Sequence, residues 1–210
     1  LNTLDKRNCP VPIIESFSGS RERVLGHVSS ILIDDKHLAF LPVILPSDLD
    51  YYGLMKMVRH DGREGAVECD VDRISDLQNV PNRLYYIFDV EDGSQWQERS
   101  PEIASILIHQ DGRLPLTAAE TVNAALHTNW LAHHALDAVG SSYASDRTPR
   151  IWLNVVMPEV EPSSMYQADT GEHGVSLLKS ELGRPGLGWW YSSSPSHGSA
   201  PSCASRLEIG

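Results

Sequence analysis

Apolar positions recur with a period of two in several short stretches of the chain and with helical spacing in two others. Residues 28–34, VSSILID, are a β-branched run that predicts a strand. HLAFLPVILP follows, with Pro42 inside it. Proline cannot donate to a ladder, so this run predicts an edge strand or an extended crossing segment. LMKMVRHDGREGAVECD reads as two alternating runs around a turn containing Asp61-Gly62 and Gly65, a hairpin whose loop exceeds two residues. RLYYIFDVEDG (83–93) has the strongest strand signal, aromatic and β-branched, stopping at the turn pair Asp92-Gly93.

Two helices are expected in the middle of the chain. Ser100, Pro101 and Glu102 place an N-cap, a first-turn proline and an acid in order, with Ile103, Ile106 and Leu107 as the inner face. Thr117 and Glu120 form a capping box that opens the second, with Val122, Ala125, Leu126 and Trp130 as its apolar stripe. Further strands are predicted at RIWLNVV (150–156) and LGWWYS (187–192). Residues 158–185 lack clear periodicity and read as an excursion, with a helical turn at 175–182. The first 30 residues mix charges, proline and glycine and predict an irregular segment ahead of one domain spanning 31–210. Strands at both ends with helices between them favour an α+β fold, a mainly antiparallel sheet with two short amphipathic helices packed on it.

Composition narrows the function classes. At 210 residues the chain is long enough to bury a core without a disulfide or metal staple. Its formal charge of −11 argues against a nucleic-acid partner. No apolar run approaches the ~20 residues of a bilayer span, so no membrane partner is expected. The opening LNTLDKRNCP lacks the basic and apolar regions of a signal peptide, and Cys9, Cys69 and Cys203 match no zinc spacing. Together these predict a cytoplasmic protein. No glycine-rich phosphate loop follows a strand, and no cofactor or metal is expected.

Four groups of residues could carry chemistry. Cys203 lies in SAPSCASR, where small neighbours let backbone N–H groups converge on an oxyanion and where Arg206 or a histidine could stabilise a thiolate. His127, His133, His134 and Asp137 cluster at the end of the second helix and beyond it. They could supply a general base or seed a metal site, although cationic residues also favour helix C-termini for purely structural reasons. Asp89 and Glu91 point to one face of their strand and could share a cation or a proton, or else simply carry the strand end into solvent. Trp189 and Trp190 point to opposite faces of the closing strand, so one could line a groove and stack a planar ligand, or both could pack in the core.

YYIFDVEDG, SPEIASILIHQDGRLPLTAAETVNAALHT, HHALDAVGSSY and GWWYSSSPSHGSAPSCASR, in that order, resemble a family of uncharacterised bacterial proteins across residues 40–206. The resemblance implies a bacterial source and a C-terminal Ser-Cys-x-Ser-Arg segment that belongs to the domain. It implies no activity, cofactor or catalytic residue.

The first functional expectation is therefore a domain that binds a small molecule or peptide. Hydrolase or acyl-transfer activity would add Cys203 as nucleophile, His134 or His133 as base, and Asp137 or Asp89 to orient it. Ser202, Ser205 and Arg206 would shape the binding loop, with Trp189 and Trp190 beside it. The alternative is a non-catalytic protein–protein interaction domain, and the third reading is a metal-binding domain built on the His cluster.

Overall fold

A computed structural model of the chain describes residues 1–60, 63–144, 147–154, 174–179 and 198–209, with 152–154 and 174–179 described by their backbone. Helices α1 (Asn2–Lys6), α2 (Val11–Gly19) and α3 (Arg21–Val28) precede strand β1 (Leu38–Val43). Helix α4 (Tyr51–Met57) leads into β2 (Arg59–His60), β3 (Arg63–Val67), β4 (Ile74–Asp76) and β5 (Tyr85–Val90). Then come α5 (Pro101–Gln110), β6 (Leu114–Pro115), α6 (Ala118–His127), β7 (Leu136–Asp137) and β8 (Ser141–Tyr143). The described chain finishes with β9 (Pro149–Asn154), β10 (Gly174–Lys179), β11 (Ser202–Cys203) and β12 (Ser205–Glu208).

The fold is α+β with mainly antiparallel pairing; β3 and β10 run parallel. β5 occupies the centre of a three-stranded sheet between β1 and β12. Its run of apolar side chains explains the position, because both faces are covered. Tyr86 and Phe88 pack on the N-terminal helices, with ring centroids 5.2 Å from Phe17 and 4.3 Å from His27. Tyr85 and Ile87 face a second cluster with Leu41, Val43, Leu116 and Ala124. β1 is the edge strand its proline predicts, and Pro42 sits opposite Tyr86. A second sheet runs β2-β3-β10-β9-β7, and β4–β8 and β6–β11 form separate pairs.

Several sequence expectations change. Residues 1–30 are not irregular: three short helices bury Leu4, Ile13, Phe17 and Val24 in the main core. The run at 28–34 lies at and beyond the end of α3 rather than in a strand. Residues 51–57 form a helix, capped by the Asp50 carboxylate accepting from Gly53 N at 2.7 Å. The hairpin then starts at Arg59, and the pairing of His60 with Arg63 leaves only two residues in its loop. The segment 174–179 is strand β10, not a helical turn. The expected strand at 187–192 lies outside the described residues.

Both central helices start where their caps predict, but burial selects different faces. In α5 the inward residues are Pro101, Ala104 and Ile108, while Ile103 and Ile106 are 49% and 57% exposed. Ala104 and Ile108 pack against Val139 and Ala200, contacts from distant segments that helical spacing alone cannot reveal. Helix α6 is buried on every side from Ala118 to Leu126 rather than amphipathic on a sheet. Its alanines permit close approach, and Asn123 satisfies its own polarity by bonding both Ile44 N and Ile44 O at 3.1 and 3.0 Å.

Candidate functional site

Strand β5 ends in a kink that gathers charge. Asp89 has φ +50°, a left-handed conformation that is uncommon outside glycine and tolerated best by Asn and Asp. After it the strict alternation of faces is lost, and Val90 joins Tyr85 and Ile87 in the same cluster. Arg113, in the turn after α5, holds the kink: Nη1 donates to Asp89 Oδ2 at 2.6 Å and Nη2 donates to the Asp89 carbonyl. His37, from the loop before β1, meets Asp89 Oδ1 through Nδ1 at 2.7 Å and lies 3.6 Å from Glu91 Oε2 through Nε2. Glu91 also accepts from Ser202 Oγ at 2.6 Å and from Gln95 Nε2 at 2.8 Å. Ser202 in turn accepts from Arg113 Nε at 2.7 Å.

Asp89 and Glu91 thus converge and share Arg113 and His37, through the kink rather than through regular strand alternation. Burial pushes the Asp89 carboxyl up, but Arg113 and His37 together outweigh it and hold it below the usual carboxylate range. The cluster binds β11 to β5 through side chains in addition to the Glu91–Ser202 backbone bridge. Its carboxylate oxygens are already occupied, so it acts as a latch between strands and loops.

A second polar group lies on the other side of the same turn. His134 is buried, with Nδ1 2.8 Å from Ser199 Oγ and Nε2 3.5 Å from Asp92 Oδ2. The hydrogen bond from His134 is the largest influence on Asp92 and, against the burial penalty, holds its carboxyl below the usual range. Ser199 Oγ also lies within donating distance of the Asp92 carbonyl, at 2.7 Å, and is fully buried. Asp137 is buried and receives Arg150 at 2.6 and 2.8 Å through Nε and Nη2. Burial outweighs that pairing and raises its carboxyl above the usual range. His133 is exposed.

Cys203 meets none of these. It is fully buried among Leu41, Val43, Tyr85, Ile87 and Leu116, and burial pushes its thiol well above the usual range. Among the described residues no imidazole is hydrogen-bonded to it, and Asp137 pairs with Arg150 rather than orienting a histidine. A nucleophilic thiol needs the opposite environment, partial exposure beside a cation. The hydroxyl that His134 does meet belongs to Ser199. His127 lies elsewhere, beside Leu38, Phe40 and Tyr86, with burial lowering its imidazole to about 4. Among the described residues no three His, Cys, Asp or Glu side chains are placed to hold a metal ion. Trp189 and Trp190 lie outside the described residues.

Arg206 leads to a cavity. Its Nε and Nη2 donate to the two oxygens of Glu120 at 2.6 and 2.9 Å, and Nη1 donates to Gln78 Oε1 at 3.1 Å. Glu120 is fully buried, closes the capping box of α6, and accepts from Tyr85 OH at 2.9 Å. Over this pair lies an open groove of about 720 Å³ lined by Gln78, Asn79, Pro81, His109, Leu114 and Arg206, with Val80, Ala204, Ser205 and Glu208 completing the walls. Ser205 is part of this wall, and its hydroxyl is 3.5 Å from His27 Nε2.

A family model matches residues 16–159, more than half of the chain. The chain belongs to a family of unknown function, DUF5701. No curated protein and no solved structure matches it. The matched span of the DUF5701 family includes Asp89, Arg113, Glu120 and His134, while Ser202, Ser205 and Arg206 lie beyond it.

Of the expected binding residues, Asp89 and Ser202 meet in the latch, and Ser205 and Arg206 line the groove. Sequence reasoning missed His37, Arg113, Gln78 and Ser199. The only local signal for Arg113 is that a cation immediately before β6 needs a partner, and Gln78 carries no signal at all.

Proposed function

We propose that this DUF5701 member is a binding domain that takes up a small molecule in the groove between residues 78–81, Leu114 and strand β12. The observation that carries the reading is an open groove of about 720 Å³, reached by the buried and hydrogen-bonded guanidinium of Arg206. Ligand sites commonly fall near 300–1,000 Å³ and combine apolar walls with a few fixed polar groups. Here Val80, Pro81 and Leu114 supply the first, and Gln78, Asn79, His109 and Arg206 the second. Glu120 holds Arg206 in place before a ligand arrives, which reduces the ordering cost of binding. Cys203 takes no part as a nucleophile, because its thiol is sealed beneath β5 and β6.

A fragment screen followed by NMR or crystallography tests this. Bound fragments are expected to perturb Gln78, Leu114 and Arg206, and Asn79→Trp, at an exposed rim position, is expected to abolish them. Fragments that gather elsewhere, leaving the groove empty, would refute the assignment.

A further inference from the structure

We infer that the ligand of this groove is a neutral molecule of the amide, lactam or imide class, with an apolar body beside its carbonyl. This rests on the binding reading above and specifies its chemistry. A guanidinium has five N–H donors. For Arg206, Nε–H is spent on Glu120 Oε1, the two Nη2–H on Glu120 Oε2 and the Pro115 carbonyl, and one Nη1–H on Gln78 Oε1. The remaining Nη1–H has no acceptor among the described residues. The same contact fixes the orientation of the Gln78 amide, and its Nε2 is buried without a partner. Donors therefore remain unmatched on this wall, and they call for an acceptor. Nε2 itself has no solvent contact, so a ligand acceptor reaches it only when the Gln78 side chain turns toward the groove.

The opposite requirement comes from His109 and Glu208, which also line the groove. His109 Nδ1 lies 2.7 Å from the Ser105 carbonyl and so donates there, which makes Nε2 the acceptor nitrogen of the ring in its neutral form. Glu208 adds a carboxylate. An amide offers a carbonyl oxygen to the first wall and an N–H to the second.

Charge argues against an anionic ligand. Arg206 is neutralised by both oxygens of Glu120, Asp76 lies close enough to interact with it, and Glu208 adds a further negative charge at the rim. A carboxylate or phosphate would bring a like charge into that field, where the Arg206 guanidinium is already paired. An amidinium brings only further donors to a wall whose spare Arg206 Nη1–H needs an acceptor. Val80, Pro81 and Leu114 favour an apolar body of modest size.

Three isosteric probes separate these cases: benzamide, benzoate and benzamidine, titrated into the full 210-residue chain. Resonances of the Gln78 side-chain amide and of Arg206 Nε–H report binding. Benzamide is expected to bind about tenfold or more tightly than either charged analogue, since a site with matched hydrogen-bonding groups discriminates strongly against mismatched ones. Gln78→Leu, which removes the Gln78 amide donors and leaves Arg206 in place, is expected to cut benzamide affinity by about tenfold while leaving the unfolding midpoint near that of wild type. A preference for benzoate or benzamidine overturns the amide class and leaves the groove assignment standing. Absence of benzamide binding while other fragments occupy the groove overturns the class in the same way. An empty groove in the fragment screen overturns the assignment itself.

Discussion

At Cys203 the sulfur sits in an apolar cluster, where a thiolate would lack both solvent and a cation. In the native protein, iodoacetamide at mildly alkaline pH should label half-buried Cys69 before Cys203, and Cys203 should lag by about tenfold or more. All three cysteines should react alike in denaturant, as peptide mass spectrometry can show; fast native labelling of Cys203 would contradict its burial. Asp92 makes a prediction in the acid range. Its folded carboxyl is held below the usual value, so its contribution to stability is present above about pH 4 and is lost as pH falls through the depressed value. In urea unfolding, the advantage of wild type over Asp92→Asn should be full near pH 5 and shrink steadily as the pH is lowered from about 4. The carboxylates were visible in the sequence as residues, since Asp89, Glu91 and Asp92 stand beside a turn pair. Their partners were not, because His37, Arg113 and Ser202 reach them from 24 to 111 positions away along the chain.

Between elements, the contact that joins α6 to β12 concentrates several functions on one carboxylate. Glu120 satisfies the Thr117 N–H of its own helix, accepts from Tyr85 on β5, and pairs with Arg206. Arg206→Met leaves that carboxylate buried without its cation and should cost about 3–5 kcal/mol in denaturant unfolding. Adding Glu120→Gln should recover a substantial part of the loss, because the unpaired charge is then gone. A double variant no more stable than Arg206→Met would show that packing rather than charge dominates there. The capping box was readable from four consecutive residues, since it is a local hydrogen-bonding pattern. The buried face of α5 was not, because Ile103 and Ile106 match helical spacing as well as Ala104 and Ile108 do. Small side chains on distant segments decided which set faces inward.

The whole molecule depends on its final described strands. Residues 16–159 carry the family match, yet β5 is central only because β12 covers one of its edges. A chain ending at 159 would expose that edge, lose β10 from the second sheet and leave Glu120 without Arg206. It should aggregate or lack a cooperative transition, by size-exclusion chromatography and thermal circular dichroism; a monomeric, cooperatively folding fragment would show that β12 is dispensable. By itself the sequence determined the α+β class, the starts of α5 and α6, the edge position of β1 and the strength of β5. Each of these follows from signals within a few residues: a cap, a proline, an apolar run. Tertiary structure alone decided that α6 is buried on every side, that Cys203 is sealed away from the histidines, and that Arg206 lies at the base of a groove. Those outcomes depend on which distant surfaces meet, and such contacts are selected by packing and charge pairing across the chain.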